Sequence, residues 1–178
     1  MKVCSLGSGS KGNSTLVESR GTRILVDIGF SGIETTRRLH EIEVAPETID
    51  AVLITHDHRD HTSGAGVFSR KYKTPVYMTA RTLKKCDMLF PKNDSVEIYQ
   101  PSRSFVVKDI VVQPFMSLHD AVEPVVFSLT DTSKQFKIGI ATDLGKPTAQ
   151  VRLALKDANF VILESNYDEE LLRSSHYP

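Results

Sequence analysis

The sequence has 178 residues, 40% of them hydrophobic, and its 22 lysines and arginines balance 22 aspartates and glutamates. That length and apolar content suit a single domain with a real core, and the zero net charge removes any whole-molecule field that would draw in a polyanion. No apolar run approaches a bilayer span and the N-terminus has no apolar stretch of secretory length, so a cytoplasmic protein without membrane contact is expected.

Lys2 to Leu6 reads as a short strand. Gly7-Ser8-Gly9-Ser10-Lys11-Gly12 then satisfies G-x-G-x-x-G formally, with Asp27 further on. Dinucleotide binding requires a helix from the third glycine, yet Asn13 to Ser19 carries Thr15, Leu16 and Val17 and leads past Gly21 straight into Ile24-Leu25-Val26. A hairpin fits and the helix does not. The phosphate-loop pattern fails too, because Asn13 stands where lysine is required. The glycines of this turn serve either its dihedrals or an anion facing backbone N–H groups. Cys4 lies in the first strand and Cys86 far from it, with no metal-binding spacing, so both read as reduced thiols.

Thr22 to Asp27 is a second strand of the hairpin region, ending in a carboxylate. Ser31 with Glu34 makes a capping box for a helix through Glu43, with Ile33, Leu39 and Ile42 on its apolar side and His40 at the surface. Ala51-Val52-Leu53-Ile54 is a buried strand, and directly after it come Thr55-His56-Asp57-His58-Arg59-Asp60-His61. Neutral imidazoles and carboxylates suit zinc, manganese or iron. Side chains two apart on an extended stretch converge on one ion, and His61, three past His58, returns to the same side if a helix begins there. The spacing H-x-H-x-D-H therefore offers ligands for two neighbouring metals. A helix over Thr62 to Tyr72 would place its N-terminus near the ligands, where the dipole disfavours further positive charge and keeps His61 unprotonated.

Pro75 to Thr79 reads as a buried strand and Arg81 to Leu89 as a short helix closed by Pro91. Arg70, Lys71, Lys73, Arg81, Lys84 and Lys85 form either a basic patch or, the favoured reading, solvated helix faces. The second half is mainly strands: Ser104 to Lys108 with Ile110 to Phe115, and Val125 to Thr130 with Phe136 to Ala141, followed by a helix over Val151 to Asp157 and a buried strand over Phe160 to Glu164. Strands and helices in this order suit two sheets packed face to face with helices outside. His119 falls in a loop before Pro124, and Asp143 puts a carboxylate at the end of Ile138-Gly139-Ile140-Ala141.

Taken together, Ser8 to Ser14, Thr55 to His61, Ser117-Leu118-His119-Asp120-Ala121-Val122-Glu123-Pro124 and Ala141-Thr142-Asp143-Leu144-Gly145 resemble the metallo-β-lactamase-fold hydrolases, in particular their YycJ/WalJ branch of bacterial nucleases. The resemblance covers essentially the whole chain. It implies a four-layer αββα fold of the α/β (α+β) class, as one domain over residues 1–178 that matches the first two thirds of such a protein and lacks the C-terminal third. It implies that His56, His58 and His119 hold one divalent cation and Asp60 and His61 another, with Asp143 bridging. It makes Asp27 an outer carboxylate bracing the ligand loop, and Asn13 and Ser14 substrate-contacting residues of the glycine-rich turn.

Two divalent ions, zinc or manganese with iron also suited, lower the pKa of a water between them and share the charge that develops at the attacked centre. The expected reaction class is therefore hydrolysis; the resemblance makes it hydrolysis of a phosphodiester of DNA or RNA, exonuclease-type, by a metal-bridging hydroxide, with Asp60, His119 and Asp143 as the catalytic set. Thioester, lactone or β-lactam hydrolysis shares the motif, and a non-catalytic metal-binding module is the reading from another class. The branch takes a further histidine from a Gly-His-Leu-Ser-Asn segment that is not found here, and His176 does not match it. Sheet edges left open by the missing strands favour a homo-oligomer.

Overall fold

A computed structural model describes residues 1–91 and 95–164. The chain opens as a meander: β1 (Lys2–Gly7), β2 (Ser14–Ser19) and β3 (Thr22–Val26) pair antiparallel in turn. Helix α1 (Gly32–Glu41) follows, capped by the Ser31 hydroxyl accepting from the Glu34 N–H. From there the sheet grows by parallel additions, β4 (Ala51–Leu53), β5 (Val76–Met78) and β6 (Val96–Ile98). Between them lie α2 (Arg59–Thr62), α3 (Ala65–Tyr72) and α4 (Ala80–Lys85). A second sheet of five strands takes β7 (Phe105–Val107), β8 (Ile110–Met116), β9 (Val125–Asp131) and β10 (Lys137–Ala141) as antiparallel neighbours. Helix α5 (Ala149–Leu155) then crosses over, and β11 (Phe160–Leu163) joins β10 in parallel.

The apolar runs of β3 and β4 are continuous because both faces of the first sheet are covered. Leu25, Val52 and Ile54 point into a cluster with Leu39 of α1 and Phe68 of α3. Their sequence neighbours Ile24, Val26, Ala51 and Leu53 point the other way, into a cluster with Val112, Phe127, Leu129 and Ile140 of the second sheet. The outer face of that second sheet meets α5 through Phe115, Val126, Val151 and Ala154. Three apolar interfaces in succession make the four layers, helix, sheet, sheet, helix, as the sequence leads one to expect.

Several boundaries differ from that reading. The helix expected over Thr62 to Tyr72 begins earlier and is broken: Ser63 and Gly64 separate α2 from α3. Gly64 donates its N–H to Ile28 O at 3.0 Å, and a Cβ there would lie 2.0 Å from Phe30 O, so the chain needs glycine at this point to pass the segment after β3. Strand β6 carries too short an apolar run to announce itself, and α4 stops at Lys85 before a 3₁₀ turn over Asp87–Leu89. The strand at Phe160 is present but not buried. It lies at the edge of its sheet, and Phe160 and Leu163 are 50% and 52% exposed. The basic residues Arg70, Lys71, Lys73, Arg81, Lys84 and Lys85 are all exposed. Among the described residues no helix is long and apolar enough to cross a membrane. His176 lies outside the described residues.

Candidate metal centre

The centre sits where the first sheet delivers β3 and β4 side by side. Asp27, one residue past β3, has a left-handed φ of 61°, a conformation that aspartate tolerates better than most residues. Its carboxylate turns toward the end of β4, where Oδ1 accepts the Thr55 N–H at 2.8 Å and Oδ2 accepts the Thr55 hydroxyl at 2.8 Å. Oδ2 also lies 2.8 Å from His61 Nδ1. A threonine hydroxyl has one proton, and Thr55 gives it to Asp27, so at 2.9 Å it can only accept from His56 Nδ1. Both imidazoles are thereby fixed with Nδ1 protonated and Nε2 directed into the site. Asp27 thus braces the ligand loop, and Thr55, which the sequence did not single out, passes that constraint on to His56.

His56 Nε2 is buried and has no hydrogen-bond partner among the described residues. Such an orphan acceptor is costly unless something binds it. Burial, with His61, His58 and His119 nearby, pushes the His56 pKa down to about 2, so a proton does not fill the role. His58 and His119 approach from the rim. His119 Nδ1 stands 3.2 Å from the Asp120 carboxylate and His58 Nε2 3.3 Å from Asp120 O. The opposite nitrogens, His119 Nε2 and His58 Nδ1, face each other at 3.2 Å, and in the tautomers that protonate the outer nitrogens both present lone pairs to the space between them. Two lone pairs at that distance repel unless a cation lies between them, and about 3.3 Å is the ligand–ligand edge of a tetrahedral zinc site with Zn–N near 2.05 Å. Donor atoms of His56, His58 and His119 all fall within 4.8 Å of one another. The residues fit a divalent cation.

A second group shares His56. Donor atoms of His56, His61 and Asp143 also lie within 4.8 Å of one another, with His61 Nε2 3.0 Å from Asp143 Oδ2. Asp143 follows β10 with a left-handed φ of 53°, which swings its carboxylate back over the first sheet. Asp60 is less central than the motif suggests: its Oδ2 is 3.6 Å from His61 Nε2 and accepts from Asn13 Nδ2 at 3.2 Å. The Asp60 backbone is pinned as well, its carbonyl accepting the Asn13 N–H at 2.8 Å. Gly29 makes this possible, because a Cβ there would stand 1.6 Å from Asp60 O.

The helix that follows the motif does not keep His61 neutral. Burial works against its charge, but the Asp27 and Asp143 carboxylates outweigh burial and raise its pKa to about 10. Helix α2, only four residues long, has too weak a dipole to oppose two full charges. Asp143 is in turn held below the usual carboxylate range: burial pushes it up, and its hydrogen bond to His61 more than offsets that. The metal-free site therefore keeps a proton where a divalent cation would compete for it.

Asp57, whose role the spacing does not reveal, turns out of the site and accepts the Val122 N–H at 2.7 Å, tying the His119 loop to the end of β4. Ser14 is 2% exposed beneath the glycine-rich turn, while Asn13 is half-buried at its inner edge.

Residues 7–134 match the metallo-beta-lactamase superfamily. The chain is 36% identical over 180 residues to the exodeoxyribonuclease WalJ of Streptococcus pneumoniae serotype 2, covering 99% of this chain and 66% of that protein. It is 34% identical over 175 residues to the exodeoxyribonuclease YycJ of Bacillus anthracis, covering 97% of this chain and again 66% of the relative. Among solved structures, the metallo-beta-lactamase fold protein YhfI from Bacillus subtilis superposes with a TM-score of 0.78 at 20% identity, over 93% of this chain and 70% of that one. This chain therefore spans just under two thirds of the length of the nucleases it matches.

Proposed function

Because the chain belongs to the metallo-β-lactamase superfamily, we propose that it is a metal-dependent phosphodiesterase of the exonuclease type, acting on DNA or RNA in the cytoplasm through two divalent cations. The observation that carries this reading is the pair of donor groups sharing His56: three imidazole nitrogens on one side, and His61 with Asp143 on the other. The likeness to two exodeoxyribonucleases across almost the whole chain supports phosphodiesters over thioesters or β-lactams.

In this reading His56, His58 and His119 hold one cation. His61, Asp143 and Asp60 would hold the other, with Asp143 the carboxylate that both would share. Zinc and manganese both suit the donor set, and iron is compatible with it. Divalent cations here supply acidity to a water and neutralise charge on the phosphodiester oxygens. The chain supplies the rest. Asp27 and Thr55 hold the Nδ1 protons of His61 and His56, leaving both Nε2 atoms available. Asp120 orients His119, and Asp57 anchors the loop that carries it. The carboxylates of Asp60 and Asp143 are the bases of the site and would be placed to take up the proton of a water held there. Asn13 is the residue of the glycine-rich turn nearest the scissile group, and Ser14 packs beneath it.

The test is digestion of end-labelled single-stranded DNA and RNA by the purified chain with added manganese or zinc. Cleavage that a chelator abolishes and that His58→Ala lowers at least a hundredfold is expected. Cleavage indifferent to both would show that these residues do not carry the reaction.

A further inference from the structure

The Asn13 side chain occupies an unusual position. Its Nδ2 lies 3.0 Å from His61 Nε2 and 3.2 Å from Asp60 Oδ2, two donor atoms that are themselves 3.6 Å apart. A cation bonded to both at about 2.1 Å would lie within about 3.6 Å of that amide nitrogen on whichever side it entered. The amide N–H groups carry the positive end of the dipole, so they oppose the ion. Rotating the amide by half a turn would present its oxygen instead, but Gly9 prevents this. The Gly9 N–H donates to Asn13 Oδ1 at 2.9 Å and the Gly9 carbonyl accepts from Nδ2 at 3.2 Å. A rotated amide would set N–H against N–H and oxygen against oxygen there.

The geometry points to Asn13 as a gate on the second cation, holding the Asp60–His61 position shut at low metal concentration. The proposal rests on the two-cation reading above and deepens it. The chain loads in two steps: the His56, His58 and His119 group fills first, and the second ion enters only by displacing the Asn13 amide from Asp60 and His61. The backbone of Asn13 is not part of the gate. Its N–H donates to Asp60 O at 2.8 Å and its carbonyl accepts from the Gly29 N–H at 2.9 Å, so removing the side chain leaves Asp60 anchored.

The experiment is a manganese titration of the full chain and of Asn13→Ala, with free ion read by electron paramagnetic resonance and the fold checked by circular dichroism. Asn13→Ala is expected to leave the first step unchanged and to tighten the second about tenfold, the worth of one hydrogen bond to a charged group. Asn13→Ser, whose hydroxyl can still serve the turn but has no amide to reach Asp60 and His61, should tighten it as alanine does and serves as a second variant if alanine disturbs the turn. Two steps in the parent chain with a second step equal or weaker in Asn13→Ala overturns the gate and leaves the two-cation reading standing. A single bound ion in parent and variants alike removes the two-cation reading and the gate with it.

Discussion

The His61 imidazole is wholly buried between Asp27 and Asp143, whereas those of His58 and His119 stand 33% and 20% exposed at the rim. The two sides of the centre are built on different terms. On the buried side the carboxylates and His61 are answered by protein: Asp27 by Thr55 and His61, His61 by Asp143, Asp60 by Asn13. On the rim, two imidazole nitrogens face each other at 3.2 Å beside one solvent-exposed aspartate. The buried side thus belongs to the fold as much as to the chemistry. The rim side has little to do until a cation arrives.

The harshest way to break that contrast is Asp27→Ala. It strips an acceptor from the Thr55 N–H, the Thr55 hydroxyl and His61 Nδ1 at once, leaving buried donors unanswered at a cost of about 3–5 kcal/mol. His119→Ala in the same metal-free background removes only rim contacts with His58 and Asp120 and should cost under about 1 kcal/mol. Urea unfolding of the two variants measures the difference. Equal losses would mean that the rim is as much a part of the fold as the interior.

A milder probe is pH. The folded-state pKa of His61, about 10, lies above the unfolded value of about 6.5. Its contribution is therefore fully present below pH 6.5 and is lost as pH rises toward 10. His56 moves oppositely, to about 2, but acts only below pH 6.5, where unfolded histidine takes up a proton that the folded site refuses. Between pH 7 and 10 the metal-free chain should lose on the order of 2–4 kcal/mol of unfolding free energy, and His61→Gln should flatten the curve. Saturating zinc should flatten it too, since the ion replaces the proton. A metal-free curve as flat as that of the variant would mean that His61 is neutral despite its two carboxylates.

How much of this was legible in the sequence follows the same division. Two sheets with helices outside could be read from the order of strands and helices, and the four-layer arrangement from the family resemblance; the continuous apolar runs of β3 and β4 agree with a sheet covered on both faces. His56, His58 and His61 stand out because three imidazoles in six positions at a strand end have no ordinary packing role, and Asp27 and Asp143 because each ends an apolar run. Thr55 and Asp57 gave no signal: a threonine and an aspartate beside histidines are unremarkable until tertiary structure shows what they bond. The break between α2 and α3 was invisible because Gly64 answers to Phe30 and Ile28, far off in sequence. Strand β11 was misjudged for a related reason, since Phe160, Val161, Ile162 and Leu163 look like core whether or not anything covers them.

The smallest expected effect sharpens the rim side of the comparison. Asp120 is 65% exposed, so its contact with His119 is open to solvent and adds little to stability. Its role is orientation: standing 3.2 Å from His119 Nδ1, its carboxylate favours the tautomer in which Nε2 is free to face the position His58 Nδ1 also faces. Replacing a carboxylate that orients a ligating histidine costs about 10–100-fold in metal affinity, and the exposure of Asp120 puts the effect near the lower figure. Asp120→Ala should therefore weaken the first zinc about tenfold in competition with a chelating dye, while the urea midpoint of the metal-free chain stays put. Asp120→Asn, whose carbonyl still accepts from Nδ1, should recover most of the affinity. If alanine and asparagine weaken zinc alike, the charge of Asp120 matters rather than the hydrogen bond. If neither does, the rim histidines are aimed by the Asp57-anchored loop alone.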